Sequence, residues 1–448
     1  MELFSIFSME VWALVMFAVL VVALLLGYPV AFTLGAVSLL FGSIFLDFSF
    51  FNLLPMRIWG IMTNFTLLAV PLFVFMGVIL EKSGLAEDLL ETMGLLFGTV
   101  RGGLGMSIVI VGALLAATTG VVGATVVTMG IIALPTLLKN GYSPALATGT
   151  IATAGTLGQI IPPSIVLILL ADMIGIPVGR LFIGAALPGA LLVGLYLVYI
   201  MLTAWRNPES APALASDSHA WNLAFLIRIL KSLLPALFLM FAVLGTIFFG
   251  YATPTESAAF GAIGALLLAI LHKRLTLKKL QDAMQQTTRL TSMVFLILIG
   301  ATAFGLVFRG MGGDTLVHEI FTQLPGGKWG FIFISLFFIF ILGFFLDFLE
   351  ICFIVVPILA PIAVFFNIDL LWFAILIAVN LQTSFITPPF GFSLFYLKAV
   401  APPDIRIGVI YRGIIPFVIL QIIGLILLVI FPQITLWLPD LFDKWHNL

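Results

Sequence analysis

The chain has 448 residues, 62% of them hydrophobic and only 9% charged, with a formal net charge of −1. Soluble domains carry roughly 25% charged and about 45–50% apolar residues, so 19 basic and 20 acidic side chains cannot cover a water-facing surface here. A soluble enzyme, a nucleic-acid binder and a disordered chain are excluded, and a multi-pass membrane protein remains. The apolar runs have the length of membrane-spanning helices, about 17–25 residues, not the roughly ten-residue alternating segments of an outer-membrane barrel. The fold class is therefore an all-α polytopic membrane protein in a lipid bilayer.

In chain order, the first half (1–205) reads as spans near 9–27, 28–46 and 62–80, then an amphipathic stretch from Glu81 to Val100. The first run lacks a basic start and an obvious small-residue cleavage site, so it reads as a helix rather than a cleaved signal. An apolar pair, 104–138, is broken at Thr119-Gly120 and reads as a re-entrant hairpin. A span at 143–175 is interrupted from Gly155 to Ser164, and a span near 178–204 follows. A polar linker, 206–222, joins the second half (223–448). Spans are expected near 223–250 and 253–271, an amphipathic basic stretch at 272–287, a span near 288–308 and a polar stretch at 309–327. A second hairpin, 328–366, is broken at Asp347. A second interrupted span, 369–399, breaks from Thr383 to Gly391, and a last span lies near 413–437.

The halves share landmarks at offsets of 223 to 229 residues. Gly27-Tyr28-Pro29 recurs as Gly250-Tyr251 and Pro254, and Gly102-Gly103 as Gly326-Gly327. Ile161-Pro162-Pro163 recurs as Thr387-Pro388-Pro389, and Gly179, Gly184 and Pro188 as Gly408, Gly413 and Pro416. Weak internal symmetry of this kind is typical of secondary transporters. If each hairpin enters and leaves on one side, each half crosses five times and the halves are inverted repeats. Fourteen of the 19 basic residues then fall on one side, leaving Arg57, Arg180, Arg309, Lys328 and Lys444 on the other. The positive-inside rule places the first set in the cytoplasm, with both termini outside. The first hairpin then opens from inside and the second from outside.

Irregular backbone survives at membrane depth only inside protein or beside a water-filled cavity. Proline has no N–H and clashes with the preceding turn, so a tandem Pro-Pro unwinds a helix and frees carbonyls. Freed carbonyls and hydroxyls are hard oxygen ligands suited to sodium. The helix that restarts after the break aims its N–H groups and positive dipole end at the same place, which suits a carboxylate. One break thus offers a cation site and an anion site. Asp347 stands between two apolar runs, where an ionisable side chain marks function, and Glu350 shares its helical face at a spacing of three. Glu256, in Thr253-Pro254-Thr255-Glu256, reads as a first-turn capping residue. Asp172 and Arg180 read as solvated residues flanking an external turn, and His272 to Lys279 as a surface segment facing anionic lipid.

Enzyme chemistry has no foothold. His219, His272, His318 and His446 all fall in expected loops without ligand spacing, and Cys352 is the single cysteine, so no disulfide or cysteine metal site forms. No Walker A, GxSxG or HExxH sequence occurs, so energy comes from an ion gradient or a partner.

At these residues the chain resembles the large permease subunit of tripartite ATP-independent periplasmic (TRAP) transporters. The matching stretches are Ala69-Val70-Pro71-Leu72-Phe73 with Ser83-Gly84-Leu85, Arg101-Gly102-Gly103-Leu104, and Gly158-Gln159-Ile160-Ile161-Pro162-Pro163-Ser164-Ile165. Leu181-Phe182, Pro188-Gly189, Thr253-Pro254-Thr255-Glu256, Phe345-Leu346-Asp347, Pro357-Ile358-Leu359-Ala360-Pro361 and Leu381 to Gly391 complete it. The resemblance covers nearly the whole chain. It implies a sodium-coupled elevator in the bacterial inner (cytoplasmic) membrane. It also implies a small membrane subunit of about four helices, a periplasmic substrate-binding protein and an organic-acid substrate. The first hairpin tip departs from the family pattern: Thr125 stands where a carboxylate is usual, and the tip looks closer to a branch labelled for mannitol or chloroaromatic substrates.

The expected cation ligands are Thr119, Gly123, Thr125, Gly155, Thr156 and Gln159 at the first site. Asp347, Glu350, Thr383, Ser384 and Thr387 are those at the second. Substrate is expected between the hairpin tips, near Pro162, Pro163, Ser164, Pro388 and Pro389. A self-sufficient ion-coupled carboxylate transporter and an ion channel are the competing readings.

Overall fold

The computed structural model describes residues 8–119, 122–213 and 223–446. Every regular element among them is helical. The first half contains α1 (Met9–Leu25), α2 (Val30–Phe45), α3 (Leu54–Met62), α4 (Ala69–Lys82), α5 (Leu85–Phe97), α6 (Gly103–Thr119), α7 (Val122–Lys139), α8 (Pro144–Thr156), α9 (Ile165–Ile174) and α10 (Val178–Arg206). The second contains α11 (Leu223–Phe248), α12 (Pro254–Leu271), α13 (Leu277–Gly310), α14 (Gly313–Thr322), α15 (Gly327–Leu342), α16 (Phe348–Glu350), α17 (Val356–Phe365), α18 (Leu370–Ile386), α19 (Phe392–Val400), α20 (Ile407–Ile430) and α21 (Gln433–His446). Among the described residues, six helices are long and apolar enough to cross a membrane, or seven if one bent pair counts as a single span.

Sequence chemistry sets many of the helix starts. Ser143 caps α8, its hydroxyl accepting the Leu146 N–H at 3.2 Å, with Pro144 in the first turn. Asp369 caps α18 through the Leu371 and Trp372 N–H groups, at 2.9 and 3.0 Å. Glu256 fills the role expected of it: Thr253 and Glu256 form a reciprocal capping box at the start of α12, with bonds of 2.8 and 3.3 Å. Losing such a cap costs about 1 kcal/mol, so Thr253→Ala is expected to lower the thermal stability of the detergent-solubilised protein, with Thr253→Ser retaining most of it.

Four elements depart from the sequence reading. Residues 48–62, expected as a connection, form a 3₁₀ turn and α3, bent by 56° against the segment that ends in α4. Residues 277–287 of the amphipathic stretch and the span after them are one 34-residue helix, α13, capped by Thr276. The last span ends at Ile430 and a separate amphipathic helix, α21, follows. His318 and His446 lie on helices α14 and α21 rather than in loops, His318 packing edge-on against Phe365 with ring centroids 4.9 Å apart. His219 lies outside the described residues.

The halves run through the same order of elements: two helices, a long arm (α3–α4 or α13), a short amphipathic helix (α5 or α14), a helical hairpin, a broken helix and a closing helix. Helices α4, α12, α13 and α2 pack along one another with α1 and α11 at their edges, forming one bundle. The hairpins, the broken helices, α10 and α20 form a second. Arg274 clamps the two amphipathic turns of the first bundle. Its guanidinium meets Asp88 at 3.0 Å and donates to the Gly84 carbonyl at 2.9 Å, so this member of the basic run faces protein, whereas Lys273 and Lys278 are exposed.

Candidate functional site

Helix α8 stops at Thr156, a 3₁₀ turn covers Leu157–Gln159, and α9 restarts after Ser164. The Ser164 hydroxyl spans the gap, donating to the Gln159 carbonyl at 2.9 Å and facing the Leu167 N–H at 3.5 Å. Helix α18 stops at Ile386 and α19 restarts at Phe392. Both tandem prolines, Pro162-Pro163 and Pro388-Pro389, lie in these gaps, each with a cis peptide bond.

Each hairpin is held by arms of both broken helices. Helix α7 of the first hairpin packs on α8 and on α19. In the second hairpin, α15 packs on α18, while α17 and the π-helical turn Ile351–Val355 pack on α9. The arms thus exchange partners between the halves. Glycines permit the closest approaches: a Cβ on Gly155 would run into Val126 of α7, and one on Gly343 into the Ser384 side chain. A Ser393-to-Ala152 hydrogen bond of 2.9 Å ties α19 to α8.

At the first break, Thr125 and Thr156 are buried beside Gly155, and Gly123 faces the Tyr396 ring, 3.1 Å from where a Cβ would stand. Thr156 donates its hydroxyl proton to the Thr153 carbonyl at 2.8 Å. Gln159 is fully buried and neither its amide oxygen nor its nitrogen has a partner in the protein. The Thr153 hydroxyl one and a half turns earlier is likewise unpartnered. Burial of an unpaired polar group costs free energy, so these atoms mark a place built for something polar. Thr119 ends α6, and its side chain lies outside the described residues, as do Gly120 and Val121.

At the second break, the hydroxyls of Thr383, Ser384 and Thr387 donate to the carbonyls of Val379, Leu381 and Thr383 at 2.8, 2.8 and 2.6 Å. A hydroxyl that has given its proton away keeps its lone pairs, so three oxygens remain able to ligate a cation. Asp347 caps α16, accepting the Phe348 N–H at 2.7 Å. Glu350 is 4% exposed, with Oε2 unpartnered. Phe345 of the hairpin turn packs tilted against Phe390 after the prolines, centroids 5.0 Å apart, bringing the Asp347 turn and the second break together. The two proline gaps differ in access. Pro162, Pro163 and Ser164 are buried, whereas Pro388 is half-buried and Pro389 is exposed, its carbonyl accepting from Tyr411 at 2.7 Å.

Sequence reading overlooked one buried cluster and misplaced one residue. Gln382 is buried with both amide atoms unpartnered; the 226-residue offset of the two Pro-Pro pairs aligns it with Thr156, so the repeat did not mark it. Beside it, Gln421 of α20 donates to Tyr196 of α10 at 2.7 Å. Asp172 is not a solvated turn residue: it accepts from the Asn64 amide at 2.8 Å inside a cavity. Arg180 is half-exposed, as expected of it, and pairs with Asp443 at 2.9 Å.

The architecture defines a polytopic, all-helical membrane protein of a known transporter fold. The YdaH transporter of Alcanivorax borkumensis, whose crystal structure was described as having an unusual topology, superposes with a TM-score of 0.63 over 95% of this chain and 98% of its own, at 14% identity. That likeness concerns the fold alone. The family described as "Tripartite ATP-independent periplasmic transporter, DctM component" matches residues 17–434, and the chain belongs to it. The C4-dicarboxylate TRAP transporter large permease protein DctM of Pseudomonas aeruginosa is 32% identical over 86% of this chain and 89% of its own. The sialic acid TRAP transporter permease protein SiaT of Haemophilus influenzae is 27% identical over 97% of this chain but 68% of its own.

Proposed function

We propose that this chain is the large membrane subunit of a sodium-driven importer of an organic acid in the bacterial inner membrane. One observation carries the reading. Two hairpins each meet a broken helix near buried oxygens that lack partners: Gln159 and Thr153 at the first, Glu350 at the second. Hydroxyls, amide oxygens and freed carbonyls there suit sodium. The N-termini of α9 and α19 suit the carboxylate, which would lie near Pro162–Ser164 and Pro388–Pro389. The relatives' names, C4-dicarboxylate and sialic acid, support an organic acid.

In this reading the second bundle moves as an elevator against the first. A periplasmic binding protein delivers the substrate, and a small membrane subunit braces the first bundle. About a third of the Haemophilus relative has no counterpart here, which fits a fused small subunit. The reading is tested in proteoliposomes holding the chain with its small subunit and a binding protein loaded with a dicarboxylate. Uptake driven by an inward sodium gradient, and absent with choline, is expected. Equal uptake with choline would remove sodium coupling, and uptake by this chain alone would assign a self-sufficient carrier.

A further inference from the structure

A cavity of about 380 Å³ lies at the seam between the two bundles, away from the broken-helix gaps. Arg57 of α3, Asn64 of the bend before α4, and Thr302 and Arg309 of α13 line it from the first bundle. Asp172 of α9 and Phe353 of the second hairpin line it from the other. The charge count places Arg57 and Arg309 on the same, outer face, and lining one cavity agrees with that.

The polar groups of the cavity leave its positive charge uncompensated. Two arginines, both largely exposed, and one half-buried aspartate are its charged lining residues. Asp172 spends Oδ1 on the Asn64 amide, 2.8 Å away, and Asn64 is itself fixed by accepting the Thr66 N–H at 2.9 Å. Among the described residues neither arginine is in an ion pair. Arginine presents a rigid donor fork that matches a carboxylate with two parallel bonds. None of the candidate residues at the broken helices is basic.

We propose that this cavity is a second anion site, an outer vestibule in which Arg57 and Arg309 take the carboxylate of a small organic acid before it reaches the broken helices. The choice of anion rests on the importer reading; the site itself rests on the cavity and its charge. Asp172 sets the affinity by opposing the incoming charge, and Asn64 holds it off the arginines. Both bundles line the site, so a bound anion also contacts the moving and the static parts at once.

The test is calorimetric titration of succinate into the purified protein with all sodium replaced by choline. Sodium-free binding is expected. Arg57→Gln and Arg309→Gln are each expected to weaken it at least about tenfold, as loss of a charge-assisted bond does. Asp172→Asn, which keeps the acceptor for Asn64 but removes the charge, is expected to tighten it, and Arg180→Gln to leave it unchanged. The tightening in Asp172→Asn is a gain that misfolding does not mimic. No succinate binding in the wild-type protein, or binding indifferent to both arginines, overturns the vestibule. Binding that appears only with sodium also overturns it, while leaving the importer reading intact. Arginine-dependent, sodium-free binding beside sodium-independent uptake keeps the vestibule and removes the sodium reading.

Discussion

Asp347→Asn is expected to fold normally and to lose sodium-driven uptake by about tenfold to a hundredfold. The substitution separates two jobs of one side chain. As the cap of α16, Asp347 uses a single oxygen on the Phe348 N–H, and asparagine caps as well as aspartate does. As the proposed cation ligand it would supply a full negative charge in the hairpin turn whose Phe345 meets Phe390 of the second break, which asparagine does not. Bonds to charged groups contribute about 1.5–3 kcal/mol, and every 1.4 kcal/mol is about tenfold in affinity. Circular dichroism and elution volume check the fold, and uptake against sodium concentration checks the function. Wild-type uptake in Asp347→Asn would move the second site elsewhere. Glu350→Gln tests the second carboxylate: its Oε2 is buried and unpartnered, so loss of its charge is also expected to weaken sodium-driven uptake.

Gly155→Val is expected to destabilise the protein and to abolish uptake. Gly155 sits at the end of α8, where even a Cβ would run into Val126, and the two nearest backbone atoms of Val126 are 3.2 Å from that position. Backbone cannot swing aside as a flexible side chain can, so the hairpin must shift. Overpacking in a close-packed interior costs about 1–3 kcal/mol, occasionally more, and the shift moves Thr125 relative to Thr156 and Gln159. Gly194 on α10 is the control, since nothing stands within 4 Å of a Cβ there. Gly194→Val is expected to leave the melting temperature within a few degrees and uptake intact. Similar losses in both variants would mean that helix propensity, not the contact, sets the effect.

The hairpins and the broken helices were legible because their signals are local and strong. Two Pro-Pro pairs interrupt runs otherwise long enough to span, and the repeat places them at matching points. The capping box at Thr253 was legible for the same reason. Residues 48–62 were not: Ser49, Asn52 and Pro55 interrupt the apolar pattern, so a bent pair of helices read as a connection. Helix α13 read as two pieces because its composition changes midway, from Lys278, Gln281 and Arg289 to Val294 and Ile297, while its backbone bonding continues. Asp172 was misread because its partner, Asn64, is 108 residues away, and no local pattern announces a tertiary hydrogen bond. The first site was legible only in part, because Thr125 gives no charge to mark it. The pair of unpartnered amide atoms on Gln159 is a property of packing that no sequence pattern contains.

The most direct test of sodium binding at the broken helices needs no substrate. The thermal stability of the purified chain is measured in sodium and in choline at equal ionic strength, for the wild type and for Asp347→Asn. A ligand that binds only the folded state at a hundred times its Kd stabilises it by about 2.7 kcal/mol. A sodium-specific rise that shrinks in Asp347→Asn is the expected result. Identical stability in the two salts, or an undiminished rise in the variant, would contradict a sodium site at Asp347.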